Sequence, residues 1–281
     1  MSPGASSVDS RQYRFTFAIE ALSQVPPDFV LPPEFRAFDA GVFLPRGDVD
    51  WLGRRRYPAR ILLLSDREAM VAPHPAAGEL PVRVSLDRIE RVEWGRILLT
   101  GWIVLTWDGG QISLPYNTRA RGPVEKCMKT LQDRWLPAAP ARPAPPTWAF
   151  GEPLDLKFEY ARSAELIDGE APLAQFFQPA VRGLRRRSWF RRNDSSAGDL
   201  VLVTSRRLLW ITERHKGSYG RYGTVSHSTR LSSIAGVRCV WTQRAGSLEI
   251  AFRSGDPWHI PVREDQKQEA RRFEAAVRSM L

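Results

Sequence analysis

The feature that most constrains this chain is a long stretch that occurs twice. Leu200 to Thr212 (LVLVTSRRLLWIT) has a weaker echo in Ile61 to Ala72 (ILLLSDREAMVA), and in both, apolar residues alternate on either side of a polar turn. The turns are Ser65-Asp66-Arg67 and Thr204-Ser205-Arg206, and the pattern predicts a β-hairpin with one buried face. Other segments recur at a nearly constant offset of roughly 140 residues, the signature of a module written twice. Arg14 to Ala18 matches Lys157 to Ala161, each with alternating aromatics that read as an opening strand. Leu86-x-x-Ile89-x-x-Val92 matches Leu231-x-x-Ile234-x-x-Val237, and Ile103 to Trp107 matches Leu248 to Phe252. A Gly-containing turn and a short strand ending in Pro115 or Pro261 follow.

Each copy closes on an amphipathic helix. Val124, Met128, Leu131 and Trp135 recur at helical spacing behind Pro123, and Ala270, Phe273, Val277 and Leu281 do so in the second copy. QVPPDFVLPPEF, near the start, is too proline-rich for a helix or a central strand, whereas ELIDGEAPLAQFF could hold a short helix. The apolar run Ile97 to Trp107, bounded by Arg96 and Asp108, reads as one long strand. The resulting division is a disordered N-terminus over 1–12, a first domain over 13–136, a Pro/Ala-rich linker over 137–147 and a second domain over 148–281.

The fold class expected is mainly β, with one C-terminal helix per domain, as two tandem barrels or orthogonal sandwiches. Here the chain resembles a family. VLVTSRRLLWIT, the L-x-x-I-x-x-V strand, the Gly-turn strand pair and the terminal helix are similar to bacterial pleckstrin-homology-like and GRAM-type domains, over most of both halves. The first copy departs from the pattern in having Glu68-Ala69-Met70 where the second has Arg207-Leu208-Leu209, and in its proline-rich insertion. The resemblance implies a binding scaffold without catalysis, a fold whose ligands include phosphoinositides, peptides and proteins.

Charge separates the two halves. Residues 139–281 hold 23 Lys and Arg against 15 Asp and Glu, while residues 1–138 hold 18 against 16. Two segments of the second half stand out as anion sites. Arg185, Arg186, Arg187, Trp189, Arg191 and Arg192 combine charge with large aromatics suited to lipid headgroups or to stacking on bases. The Gly-rich loop contributes Arg214, Lys216, Tyr219, Arg221 and Tyr222, its glycines giving the backbone close approach to a phosphate. Lys216 and Arg221 are rough counterparts of the basic loop residues that some lipid-binding members of the family use. The alternative for both is a solvated loop and a strand whose aromatics are core.

An enzyme is not expected. The chain has neither a P-loop nor a G-x-S-x-G elbow, and His74, His215, His227 and His259 have no metal-ligand spacing. No cofactor or metal is expected, and Cys127 and Cys239 read as small buried residues. The N-terminus lacks a signal-peptide pattern and no run is long enough to span a membrane. The expectation is therefore a cytoplasmic protein, peripheral at the inner face of the membrane where it meets lipid. Its partner would be an anionic lipid surface or phosphorylated ligand, then a protein held at a sheet edge or helix groove, then nucleic acid.

Overall fold

The computed structural model describes residues 15–35, 37–48, 56–97, 99–136, 148–180, 197–213, 223–242 and 246–281. The chain divides into two compact units. The first comprises Met1–Ile89, Leu99–Ile103 and Ile112–Trp135; the second comprises Glu90–Leu98, Val104–Gln111 and Leu136–Leu281.

In the first unit β1 (Phe17–Ile19), β2 (Ala40–Leu44), β5 (Arg60–Leu64), β6 (Glu68–Pro73) and β7 (Val82–Ser85) form an antiparallel sheet in that order. The pair β3 (Gly47–Asp48) and β4 (Arg56–Tyr57) lies between β2 and β5 in sequence. Ile19, Phe43, Ile61, Leu63 and Met70 build one core, with Phe29 and Phe35 supplied by the proline-rich stretch. After a 3-10 turn at Leu86–Arg88 come β8 (Ile89–Ile97), β9 (Thr100–Trp107), β10 (Gly110–Asn117) and helix α1 (Arg121–Trp135). α1 buries Val124, Met128, Leu131 and Trp135, the stripe that its spacing predicts, against β1, β2 and β5.

The second unit, which also takes in Glu90–Leu98 and so most of β8, continues with β11 (Trp148–Gly151), α2 (Leu156–Glu165) and β12 (Pro172–Gln178). The hairpin follows as β13 (Asp199–Thr204) and β14 (Arg207–Thr212), then β15 (Gly223–Arg230), a 3-10 turn at Leu231–Ser233, β16 (Ile234–Trp241), β17 (Gly246–Phe252), β18 (Trp258–Val262) and α3 (Lys267–Arg278). Hairpin, 3-10 turn, three strands and helix thus occur in the same order in both halves of the chain. The strands β8-β15-β14-β13-β12-β11 are successive neighbours within one sheet, and β16-β17-β18 form another. Val201, Val203, Leu208 and Trp210 from the first meet Val237, Leu248, Ile250 and Ile260 from the second and Ala270, Phe273 and Val277 from α3.

Several expectations are corrected. The sheets are open rather than closed into barrels, with β16 and β18 as edges of their sheet, and Pro261 is tolerated because β18 is such an edge. The hairpin β13–β14 is buried on both faces, because Leu200, Leu202, Leu209 and Ile211 pack on Phe158 and Ala161 of α2. Lys157 to Ala161 is accordingly helical, not an opening strand: Asp155 accepts the Phe158 N–H at 2.9 Å as N-cap, and Phe158, Ala161 and Glu165 face inward at helical spacing. The short helix therefore lies before ELIDGEAPLAQFF, the end of which is β12. Ile97 to Trp107 is not one strand, since β8 ends at Ile97 and β9 begins at Thr100. Leu281 lies beyond α3 and is half exposed. Among the described residues no helix is long and apolar enough to cross a membrane.

Candidate functional site

The eleven residues singled out as anion-binding lie outside the described residues: Arg185, Arg186, Arg187, Trp189, Arg191 and Arg192 in segment 181–196, and Arg214, Lys216, Tyr219, Arg221 and Tyr222 in segment 214–222. The framework that holds both segments is described. Gln178 pairs with Asp199, Asp199 with Thr212, and Thr212 with Val225. β12 ends, β13 begins and β14 ends in this row, and β15 begins two residues before it at Gly223, so the chain enters and leaves both segments at the same end of the sheet. Three inter-strand steps of about 4.8 Å put the four strand ends within roughly 15 Å. The two segments carry nine Lys and Arg against the single acid Asp194, so they account for the whole positive excess of residues 139–281.

A buried carboxylate ties this row together. Asp199 is fully buried and accepts hydrogen bonds from Thr212 Oγ1 at 2.7 Å, Trp210 Nε1 at 3.0 Å and Gln178 Nε2 at 3.1 Å. Gln178 also donates to the Pro261 carbonyl at 2.5 Å and accepts the Arg263 N–H at 3.3 Å, which fixes β12 to the second sheet. Arg263 reaches the Pro179 carbonyl at 3.2 Å and Glu152 at 2.7 Å. Beyond the row, Glu213 accepts the Gly198 N–H at 3.2 Å and pairs with Lys157 at 2.5 Å, while Lys157 also donates to the Gly223 carbonyl at 3.3 Å. The residues flanking each basic segment are thus held by side chains of α2 and of the sheet. A lone acid directly before LVLVT was the available signal for Asp199; Gln178 and Lys157 had none.

His227 adds a titratable group to the framework. Its ring stacks on Trp210 at 4.6 Å and Nδ1 lies 3.5 Å from Glu93. Burial pushes its pKa below the usual 6.5, against the opposing pull of the Glu93 and Asp199 charges and with a smaller contribution from Arg91. The folded state therefore favours neutral His227, and the stability this contributes is present above the ordinary value and lost as pH falls below it. Thermal melts at pH 7 and pH 5 are expected to show a smaller acid-induced drop for His227→Gln than for the unchanged protein; equal drops would show that His227 does not set it.

At the opposite end of the hairpin, the Thr-x-x-Arg turn proves to be part of the fold. Arg207 and Glu170 are fully buried; the guanidinium meets Glu170 through Nε and Nη2, both at 2.9 Å, Ser228 at 3.1 Å and the Glu165 carbonyl at 2.5 Å. Thr204 Oγ1 donates to Glu170 at 2.6 Å and accepts the Arg207 N–H at 3.0 Å. In the first unit Ser65 Oγ accepts the Glu68 N–H at 3.0 Å, and Glu68 pairs with Arg83 at 2.8 Å. The Glu-for-Arg departure of the first copy is thus matched by an outer ion pair in place of a buried one.

The first unit holds a cavity of about 540 Å³ whose lining includes Phe29, Phe43, Tyr57, His74, Arg46 and Asp28. His74 Nδ1 accepts the Ala76 N–H at 3.2 Å, so its Nε2 carries the proton. Among the described residues no three His, Cys, Asp or Glu side chains converge as a metal site. No protein-family model matches the chain, and no curated protein matches its sequence.

Proposed function

We propose that this protein is a non-catalytic binding protein of two pleckstrin-homology-like modules, in which the second contacts an anionic membrane surface or phosphorylated ligand. The observation that carries the reading is the row Gln178, Asp199, Thr212 and Val225, at or within two residues of which four strands begin or end. It brings the departure points of two segments with strongly basic sequences to one end of one sheet, and a basic sequence attracts anions. The common chemistry is phosphate, met by Arg forks and Lys point charges. Co-sedimentation with anionic and neutral vesicles at low and high salt tests it, beside the Lys216→Glu/Arg221→Glu variant. Salt-sensitive binding to anionic vesicles, weakened in the variant, is expected; absence of binding under all conditions would refute the membrane reading.

A second reading rests on a different observation. β16 is an edge strand, and two of its backbone groups bond to side chains of α3: Cys239 N–H donates to Glu274 at 3.0 Å, and Arg278 Nε donates to the Val237 carbonyl at 2.9 Å. Beside it runs an open groove of about 670 Å³ over Ala235, Gly236, Ala251 and Leu281. In this reading the protein is an adaptor, with an extended peptide adding to the edge once the Glu274–Arg278 pair moves aside. A vesicle-indifferent protein that binds a partner peptide, and loses it in a β16 variant, would favour this account.

A further inference from the structure

The first turns of α2 present an apolar face to solvent at the end of the sheet where the basic segments leave. Leu156 is 84% exposed and Tyr160 is 61% exposed, and their i,i+4 spacing puts them on one side of the helix. The opposite side, Phe158 and Ala161, is core. Between the two exposed residues in sequence, Lys157 bonds to Glu213 and to the Gly223 carbonyl, the residues on either side of segment 214–222. Phe158 lies against Gly198, just after segment 181–196; a Cβ on Gly198 would come within 2.8 Å of the ring. The exposed leucine and tyrosine therefore stand beside the points where both segments begin or end.

We propose that Leu156 and Tyr160 are an apolar anchor that enters the headgroup boundary of an anionic lipid bilayer. The inference rests on the reading that the second unit binds an anionic surface, and it decides between the two sources of phosphate in favour of a membrane. A soluble phosphorylated ligand offers nothing to an exposed leucine, whereas the acyl boundary buries it and the phenol of a tyrosine sits at headgroup level. Charge complementarity names the occupant: the two segments whose flanking residues lie at this end of the sheet carry nine Lys and Arg in their sequence, and each basic group near an anionic surface adds to binding. Asp155, the N-cap beside Leu156, and Glu159 are exposed acids of this helix end, and their two charges are set against those nine.

The full chain carrying Leu156→Cys, labelled with an environment-sensitive nitrobenzoxadiazole group, tests the anchor. Burial pushes the Cys127 thiol up to about 12 and, together with Glu274, the Cys239 thiol up to about 12, so near neutral pH the label goes to position 156. Phosphatidylserine-containing vesicles are expected to shift the emission to the blue and raise it several-fold, while pure phosphatidylcholine leaves it unchanged. In the unlabelled protein Leu156→Ser is expected to weaken vesicle binding about tenfold and to leave binding of a soluble inositol polyphosphate unchanged. Salt-sensitive vesicle binding with an unshifted label, and with Leu156→Ser as tight as the unchanged chain, would overturn the anchor and leave the anionic-surface reading standing. Failure of the unchanged chain to bind vesicles would overturn both.

Discussion

Replacing Glu170 with alanine is expected to lower the stability of the second unit by about 3–5 kcal/mol, the cost of leaving a buried charge without its partner. Arg207 has no exposed surface, and its Nε and Nη2 both meet Glu170 at 2.9 Å. Thr204 Oγ1, which donates to Glu170 at 2.6 Å, keeps only the Arg207 carbonyl at 3.1 Å as an acceptor in the same substitution. Urea denaturation reads the effect as a lower midpoint with an unchanged slope. Pairing Glu170→Leu with Arg207→Met removes both charges, and the double variant is expected to recover part of the loss, since a hydrophobic replacement of a buried pair often costs little. A loss under about 1 kcal/mol for Glu170→Ala would mean that water reaches the guanidinium, contrary to the burial described.

The second large effect is on binding. Arg185→Glu, Arg186→Glu and Arg187→Glu together are expected to reduce affinity for anionic vesicles by at least about 100-fold at low salt, because removing three cations forfeits about 1 kcal/mol each and the new carboxylates repel the surface. The salt dependence should flatten along with the affinity. None of the bonds described for Asp199 or for the Arg207–Glu170 pair involves a substituted residue, so the melting temperature serves as the control. Undiminished vesicle binding by the triple variant would move the site away from segment 181–196.

Much of the fold was legible because its signals are local. The turns Ser65-Asp66-Arg67 and Thr204-Ser205-Arg206 and the stripes of α1 and α3 depend on neighbours within a few residues, whereas the Leu-x-x-Ile-x-x-Val segments, read as strand, are strand only from Ile89 and Ile234 and begin as 3-10 turns. Lys157 to Ala161 misled for the same reason: Phe158 and Tyr160 alternate as on a strand, and the evidence for helix, an Asp155 cap and the spacing to Ala161 and Glu165, starts outside that window. Burial of both hairpin faces could not be read locally, since it depends on α2 folding back over β13 and β14. The same holds for the candidate site. The pairing of Arg207 with Glu170, 37 residues earlier, has no local signal and follows only from the folded arrangement. The basic segments stood out by composition, whereas their common point of departure follows from strand register.

The double-sided burial of β13 and β14 also fixes how the protein reports on itself. Leu200 to Val203 and Leu208 to Ile211 are closed off from solvent on both faces and bonded to strands on both flanks. Fraying or loop motion cannot uncover such amides, so they trade hydrogen for deuterium only when the whole unit opens. Their exchange rates are an internal gauge of global opening, readable in the same sample in which a ligand is titrated.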